Sequence, residues 1–165
     1  MFTKMQSRSL ALAAVAVAVG VASADAQAAT GTAKAAIVAA INLTENTNMN
    51  FGYIIPSASA GTAVLATTGT LTPTSVTYLN GAAAGQWTAT GTANQPAVIT
   101  LDSTPDTLSN GSGGTMTVDT FNHDAGGSPN FGSGTLTFHV GATLHVGANQ
   151  AVGSYSGSYN VTVNY

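Results

Sequence analysis

Few residues in this chain are equipped to do chemistry. It has no cysteine and three histidines, His123, His139 and His145. His139 and His145 fall on neighbouring expected strands, 134–140 and 143–146, where they can approach each other. A zinc centre takes about four ligands in tetrahedral array, and this pair supplies half of that set. The two rings therefore read as polar residues on the wet face of a hairpin. Asp119, Asn122 and Asp124 precede Gly126-Gly127 in an oxygen-rich stretch of the kind calcium favours. The spacing is not that of an EF-hand loop, and Asn, Asp and Gly serve equally to set turn conformation. No metal and no cofactor is expected.

Catalytic constellations fare no better. Asp102 and Asp106 flank Pro105 and read as turn formers rather than as a glycosidase pair across a cleft. Gly153-Ser154-Tyr155-Ser156-Gly157 lacks nucleophile-elbow spacing and lies in an expected strand. Gly132-Ser133-Gly134 opens a strand rather than a helix, so it is not a phosphate loop. Trp87 with Tyr53 and Tyr78 has the composition of a sugar platform, but a lone Trp in a small β domain is more often core. No set supplies nucleophile, base and oxyanion donors together, so the expectation is a protein that is not an enzyme.

Charge narrows the partners. Of 165 residues only three are Lys or Arg: Lys4, Arg8 and Lys34. Nucleic acid is excluded, because phosphate neutralisation needs clustered cations. The first 28 residues have the parts of a secretory signal: a basic start (Lys4, Arg8), an apolar run over 9–22, and overlapping small-residue sites that place cleavage after Ala26 or Ala28. The apolar run is shorter than the roughly 20 residues of a membrane span. The expected mature chain is secreted, to the periplasm or the cell surface, with no membrane span. One domain is expected over 29–165.

After the leader no apolar pattern holds helical spacing, and short alternating runs are separated by Gly, Pro, Asn and Ser. Strands are expected over 34–44, 50–55, 62–67, 74–79, 86–92, 97–102, 115–121, 134–140, 143–146 and 155–165. Their spacing indicates an all-β sandwich or barrel. In the last run Tyr155, Gly157, Tyr159, Val161, Val163 and Tyr165 share one face, and Ser, Asn and Thr the other. The first run is unusual. Ala33, Ala35, Ile37, Ala39, Ile41 and Leu43 share one face near the expected mature N-terminus, which suits either an ordinary edge strand or a donor strand added to a neighbour's sheet.

Two motifs carry a resemblance. Asn50-Phe51-Gly52-Tyr53-Ile54 after an apolar strand, and an ending in which 141–146 precede Gly153, Tyr155, Gly157, Tyr159, Val161, Val163 and Tyr165, resemble the bacterial exported family domain of unknown function 4402 across nearly the whole mature chain. The layout is more loosely similar to spore coat U and chaperone–usher pilin subunits. That likeness implies an immunoglobulin-like antiparallel β-sandwich completed by an N-terminal donor strand, self-association or related surface subunits as partners, and a periplasmic chaperone. This chain departs from many pilins in lacking a disulfide, and its donor positions are mostly Ala. The functional expectation is an exported structural or adhesive surface subunit, fimbrial- or coat-like. The alternatives are a small outer-membrane β-barrel ending in Tyr165, and a secreted ligand-binding sandwich.

Overall fold

The computed structural model describes residues 29–165; the leader expected over 1–28 lies outside the described residues. The chain divides into two units, Met1–Ala35 and Ala36–Tyr165. Of the first, Ala29–Ala35 is exposed and in no strand. The second holds every strand among the described residues.

The described residues contain strands and no helix, as period-two alternation of β-branched and small residues dictates. In chain order they are β1 (Asn42–Thr47), β2 (Asn50–Phe51), β3 (Ile54–Ile55), β4 (Gly61–Leu65), β5 (Leu71–Thr74), β6 (Thr77–Tyr78), β7 (Ala82–Ala83), β8 (Gly85–Thr90), β9 (Val98–Leu101), β10 (Asp106–Ser109), β11 (Thr115–His123), β12 (Thr135–Val146) and β13 (Val161–Asn164). Every ladder is antiparallel. The all-β, antiparallel class expected from the sequence is the class observed.

One strand organises the rest. The runs expected as two strands over 134–140 and 143–146 are a single twelve-residue strand, β12. Its first half pairs with β8, Thr135 opposite Thr90 through Val140 opposite Gly85. Its second half pairs with β4, Ala142 opposite Leu65 through Val146 opposite Gly61. On its other edge β11 runs alongside, and β10 pairs outside β11. The seven-stranded sheet therefore has the order β1-β8-β12-β11-β10, with β4 and β5 attached to the far half of β12.

Alternation along β12 explains why it is buried. Phe138, Val140, Ala142, Leu144 and Val146 share one face and are buried, while Thr137, His139, Thr143 and His145 face the other way. That buried row feeds two cores. Phe138 and Val140 pack with Ala89, Ala97, Phe131 and Val163. Ala142, Leu144 and Val146 pack with Phe51, Ala63, Leu65, Leu71 and Val118. Phe121 is partly buried and packs against both. The β9–β13 ladder contributes Ile99, Leu101, Val161 and Val163 to the first core.

Gly141 sits at the junction. A Cβ there would overlap the carbonyl oxygen of Leu65, so β4 can close on β12 only over a glycine. At the same level β11 carries a bulge between Asp119 and Asn122, with Thr120 at φ 52°. Bulges bend a strand and increase its twist. The two adjacent strands thus change direction together, where one core hands over to the other.

The N-terminal run differs from an ordinary strand. Pairing begins at Asn42, so within the expected 34–44 strand only the end is paired, against β8. Ile41 and Leu43 pack against the first core. Ile37 is 99% exposed. The end of the exposed segment is held at Ala39: its N–H donates to Thr92 Oγ1 (2.7 Å), and its carbonyl accepts from the Tyr165 hydroxyl (2.7 Å).

Replacing Gly141 by Ala must displace β4 from β12 at a backbone contact. The expected cost is about 1–3 kcal/mol in urea-unfolding free energy, as for other overpacked interior sites. An unchanged midpoint and slope would show that the junction tolerates a side chain.

Candidate functional site

A groove of about 810 Å³ lies over the second core. Its floor is the inner face of the main sheet, where Leu108, Met116, Val118, Leu144 and Val146 come from β10, β11 and β12. One wall is the stretch from Asn48 to Ile54, and the other runs from Gln150 to Tyr159. Both walls contain the motifs singled out in the sequence.

The first wall is built around a tight backbone turn. Asn50 Oδ1 accepts the Gly52 N–H at 2.8 Å, and Gly52 adopts φ 73°. A Cβ on Gly52 would overlap the Asn80 carbonyl oxygen. Glycine is required there both for the positive φ and for the close approach. The turn drives Phe51 into the core at 8% exposure and leaves Tyr53 outside at 69%. The Tyr53 N–H and C=O bond Asn80 and Leu79, fixing the wall to the next loop.

The second wall is extended but barely paired. Within 151–159, Ser156 alone among the described residues makes backbone–backbone hydrogen bonds, two with Ser109 of β10 (2.9 and 3.0 Å). Gly157 lets the chain press against β10, since a Cβ there would lie 2.5 Å from the Thr107 carbonyl oxygen. The expected 155–165 strand is therefore paired regularly only over Val161–Asn164, against β9. Its alternation persists where pairing does not: Tyr155, Tyr159 and Val161 are half-buried and Val163 buried, whereas Ser154, Ser156, Ser158, Asn160 and Thr162 are exposed.

Three tyrosines anchor this ending. Tyr155 donates to the Ala151 carbonyl (2.7 Å) and accepts from Gln150 Nε2 (2.8 Å). Tyr159 stacks on Phe121 with centroids 5.3 Å apart, and its hydroxyl accepts from Trp87 Nε1 at 3.0 Å. Tyr165 packs on Phe131 and bonds Thr92 and Ala39. Trp87 therefore works with Tyr159 at the edge of the groove, not with Tyr53 or Tyr78. The Tyr78 hydroxyl instead accepts the Ala82 N–H.

Acidic groups sit at the groove unequally. Asp102 and Asp106 are more than turn formers. The backbone N–H of Asn160 donates to Asp102 and holds its carboxyl below the ordinary value. Asp106 opens β10 on the same face as Leu108 and is opposite Val118. Burial, followed by the charge of Asp102, pushes its carboxyl above the ordinary value. Its Oδ2 is buried with no hydrogen-bond partner. Sequence reasoning missed this residue as a wall of the groove, because Pro105 before it signals a turn and β10 is only four residues long.

His139 and His145 lie on the opposite face of the sheet, whereas His123 is opposite Val140 on the inward face, its ring 6.2 Å from that of Phe138. His139 and His145 occupy one strand rather than neighbouring ones, six positions apart, or roughly 20 Å at strand rise. Each takes its own carboxylate. His139 Nδ1 contacts Asp124 Oδ2 at 2.8 Å, and the His139 N–H donates to the same carboxylate. His145 Nε2 contacts Asp119 Oδ1 at 2.9 Å. The ring of His145, despite some burial, holds Asp119 below its ordinary value. Burial raises Asp124, but the N–H and ring of His139 outweigh it and the net direction is down. Asp119, Asn122 and Asp124 are thus spread along β11 and beyond it rather than gathered in one loop. Among the described residues no three His, Cys, Asp or Glu side chains converge.

Of the N-terminal positions expected to form an assembly strand, Ala33, Ala35 and Ile37 are exposed and unladdered. Ala39 is held by backbone bonds to Thr92 and Tyr165, while Ile41 and Leu43 belong to the domain's own core. No described helix is long and apolar enough to cross a membrane.

Fold and site together define an all-β domain whose distinctive feature is an apolar groove walled by its Phe-Gly turn and its tyrosine-rich ending. Residues 41–165 match the family described as Domain of unknown function (DUF4402), and the chain belongs to that family. No curated protein matches the chain, and no solved structure does. The looser likeness to spore coat U and pilin subunits rests on the motifs alone.

The two kinds of carboxylate predict opposite pH signatures. Asp119 has a lowered folded value, so its contribution is present above the ordinary carboxyl range and is lost as pH falls through the folded value. Asp119→Asn should lower the urea midpoint at pH 7, and the gap should close in acid. Asp106 has a raised folded value, so ionising it costs stability as pH rises from the ordinary value through the folded one. Asp106→Asn should raise the midpoint at pH 7 and leave it unchanged in acid. Gaps that do not vary with pH in these directions would refute both assignments.

Proposed function

We propose that the protein is an exported structural subunit of the cell surface, fimbrial- or coat-like, that assembles by β-strand addition and is not an enzyme. In this reading the domain is an immunoglobulin-like sandwich with an opening over its second core. The N-terminal segment of a neighbouring copy, or of a related subunit, fills that opening. A periplasmic chaperone would protect the groove before assembly.

The observation that carries the reading is a mismatch within one chain. An alternating segment ending at Val38, itself 44% exposed, lies outside every ladder, while the groove exposes apolar sheet face and a stretch, 151–159, whose backbone is paired at Ser156 alone. Strand addition satisfies both, through main-chain bonds to the wall and side chains toward the floor. The scarcity of charge fits the same role, since a surface with so few like charges does little to keep copies apart.

A secreted ligand-binding domain is the second reading, because the groove volume falls within the roughly 300–1,000 Å³ of small-molecule sites. The outer-membrane barrel is weaker. Spanning strands need about 9 residues, and among those described only β11 and β12 reach that length.

The test is the assembly state of the purified chain beginning at Ala29, followed by light scattering and electron microscopy, with and without residues 29–36. Polymers or a concentration-dependent mass should form with the segment and vanish without it, leaving a folded monomer. A parent chain that stays monomeric, or a truncated chain that assembles equally well, would overturn the proposal.

A further inference from the structure

We propose that the groove is read by charge: Lys34 of one copy enters the groove of a second copy and pairs there with Asp106. This inference rests on the strand-addition reading and adds to it a register and a face.

The cation is singled out by the sequence. Beyond residue 8, Lys34 is the only Lys or Arg. It lies in the exposed segment, five residues before the Ala39 clamp, about 16 Å of extended chain. A free surface lysine would serve solubility anywhere; this one stands in the segment whose ladder partner is missing.

The acceptor is singled out by the structure. Asp106 occupies an inward position of β10, between the apolar floor residue Leu108 and the buried Val118 across the ladder. A carboxylate oxygen buried beside such neighbours without a partner is costly, and buried charges are normally paired. Asp102 beside it is also acidic and already accepts from Asn160; it accepts a hydrogen bond from the Asp106 carboxyl only while that carboxyl holds its proton, so it cannot neutralise an ionised Asp106. Glu45 lines the groove as well, but it is exposed and needs no partner.

The pairing has a structural consequence. If Lys34 points to the floor, period-two geometry sends Ala36 and Val38 the same way and turns Ala35 and Ile37 outward. The aliphatic stem of Lys34 lies along the apolar wall while its ammonium reaches Asp106, as long cationic side chains commonly do. A single cation offered to a single inward carboxylate would fix the register of an otherwise Ala-rich segment, whose small side chains distinguish poorly between neighbouring registers.

Charge exchange between copies tests this. Lys34→Glu and Asp106→Lys should each raise the concentration for half-assembly by roughly 30-fold or more, as expected when one partner of a buried pair is lost. Mixed in equal amounts, these two variants carry complementary ends and should form alternating polymers that neither forms alone. Asp106→Asn, a near-isosteric change that keeps the fold, should weaken assembly similarly, whereas Glu45→Gln should not. The proposal is overturned if the Lys34 variant assembles like the parent, if the mixture stays dissociated while both variants melt as folded monomers, or if Glu45→Gln is the damaging change. The truncation of 29–36 separates the levels. If it abolishes assembly while Lys34→Glu does not, strand addition stands and the charge pairing falls; if truncation has no effect, both fall.

Discussion

The structure depends on the continuity of β12. A strand that buries one face along its whole length and serves two cores must meet two different partners on one edge. β8 fills the first half of that edge and β4 the second. The handover works because Gly141 has no side chain to meet the Leu65 carbonyl, and because the bulge in β11 bends the neighbouring strand at the same level. Phe121, at that bulge, is the side chain that touches both cores. The groove lies beyond the handover, over the second core, where β10 forms the sheet margin.

That geometry explains the division of labour along the C-terminal stretch. Near its end the chain is an ordinary strand: Val161 and Val163 face the first core and pair with β9. Nearer the second core the same alternating chain crosses the sheet margin and pairs with β10 at Ser156 alone. What holds it there is side-chain chemistry: tyrosine hydroxyls, the Phe121 stack and the Asp102–Asn160 bonds. A wall held by side chains keeps its backbone groups available, as a groove that accepts a strand requires. The firmly laddered half of the ending secures the fold, and its loosely laddered half borders the groove.

Much of this was legible in the sequence, for physical reasons that can be traced. Runs with strict alternation, such as 62–67, 86–92, 97–102 and 115–121, correspond to β4, β8, β9 and β11 because burial of one face imposes period two. Breaker residues misled where tertiary context absorbed their cost. Gly141 and its neighbours read as a gap between strands, yet the gap is the contact point of β4. The run expected over 74–79 is broken at Ser75, with φ 57°, into the end of β5 and the short β6; β5 holds Pro73 because it pairs only with β4, so the missing N–H falls on an edge. Pro105 hid β10 and with it the inward position of Asp106. The N-terminal run reads as one strand from Lys34, but its continuity ends where Ile41 and Leu43 find the domain's own core and Ile37 does not. Local pattern specifies which face is apolar; it does not specify which chain buries it.

The same distinction bears on Asp106. A carboxylate with an unpartnered buried oxygen burdens the isolated domain, and nothing in the ladder requires an acid at that position, since its cross-strand neighbour is Val118. An amide or an aliphatic group would suit the free domain better. In the strand-addition reading, an acid that burdens the monomer through its unpartnered Oδ2 is accounted for by the assembled state. The near absence of cations sharpens this, because a carboxylate in a chain with many lysines would find a partner by chance. Here the one Lys or Arg beyond residue 8 lies on the segment that also has no place in its own sheet. The proposed contact between copies would answer both unmet demands, for a ladder and for a charge, at once.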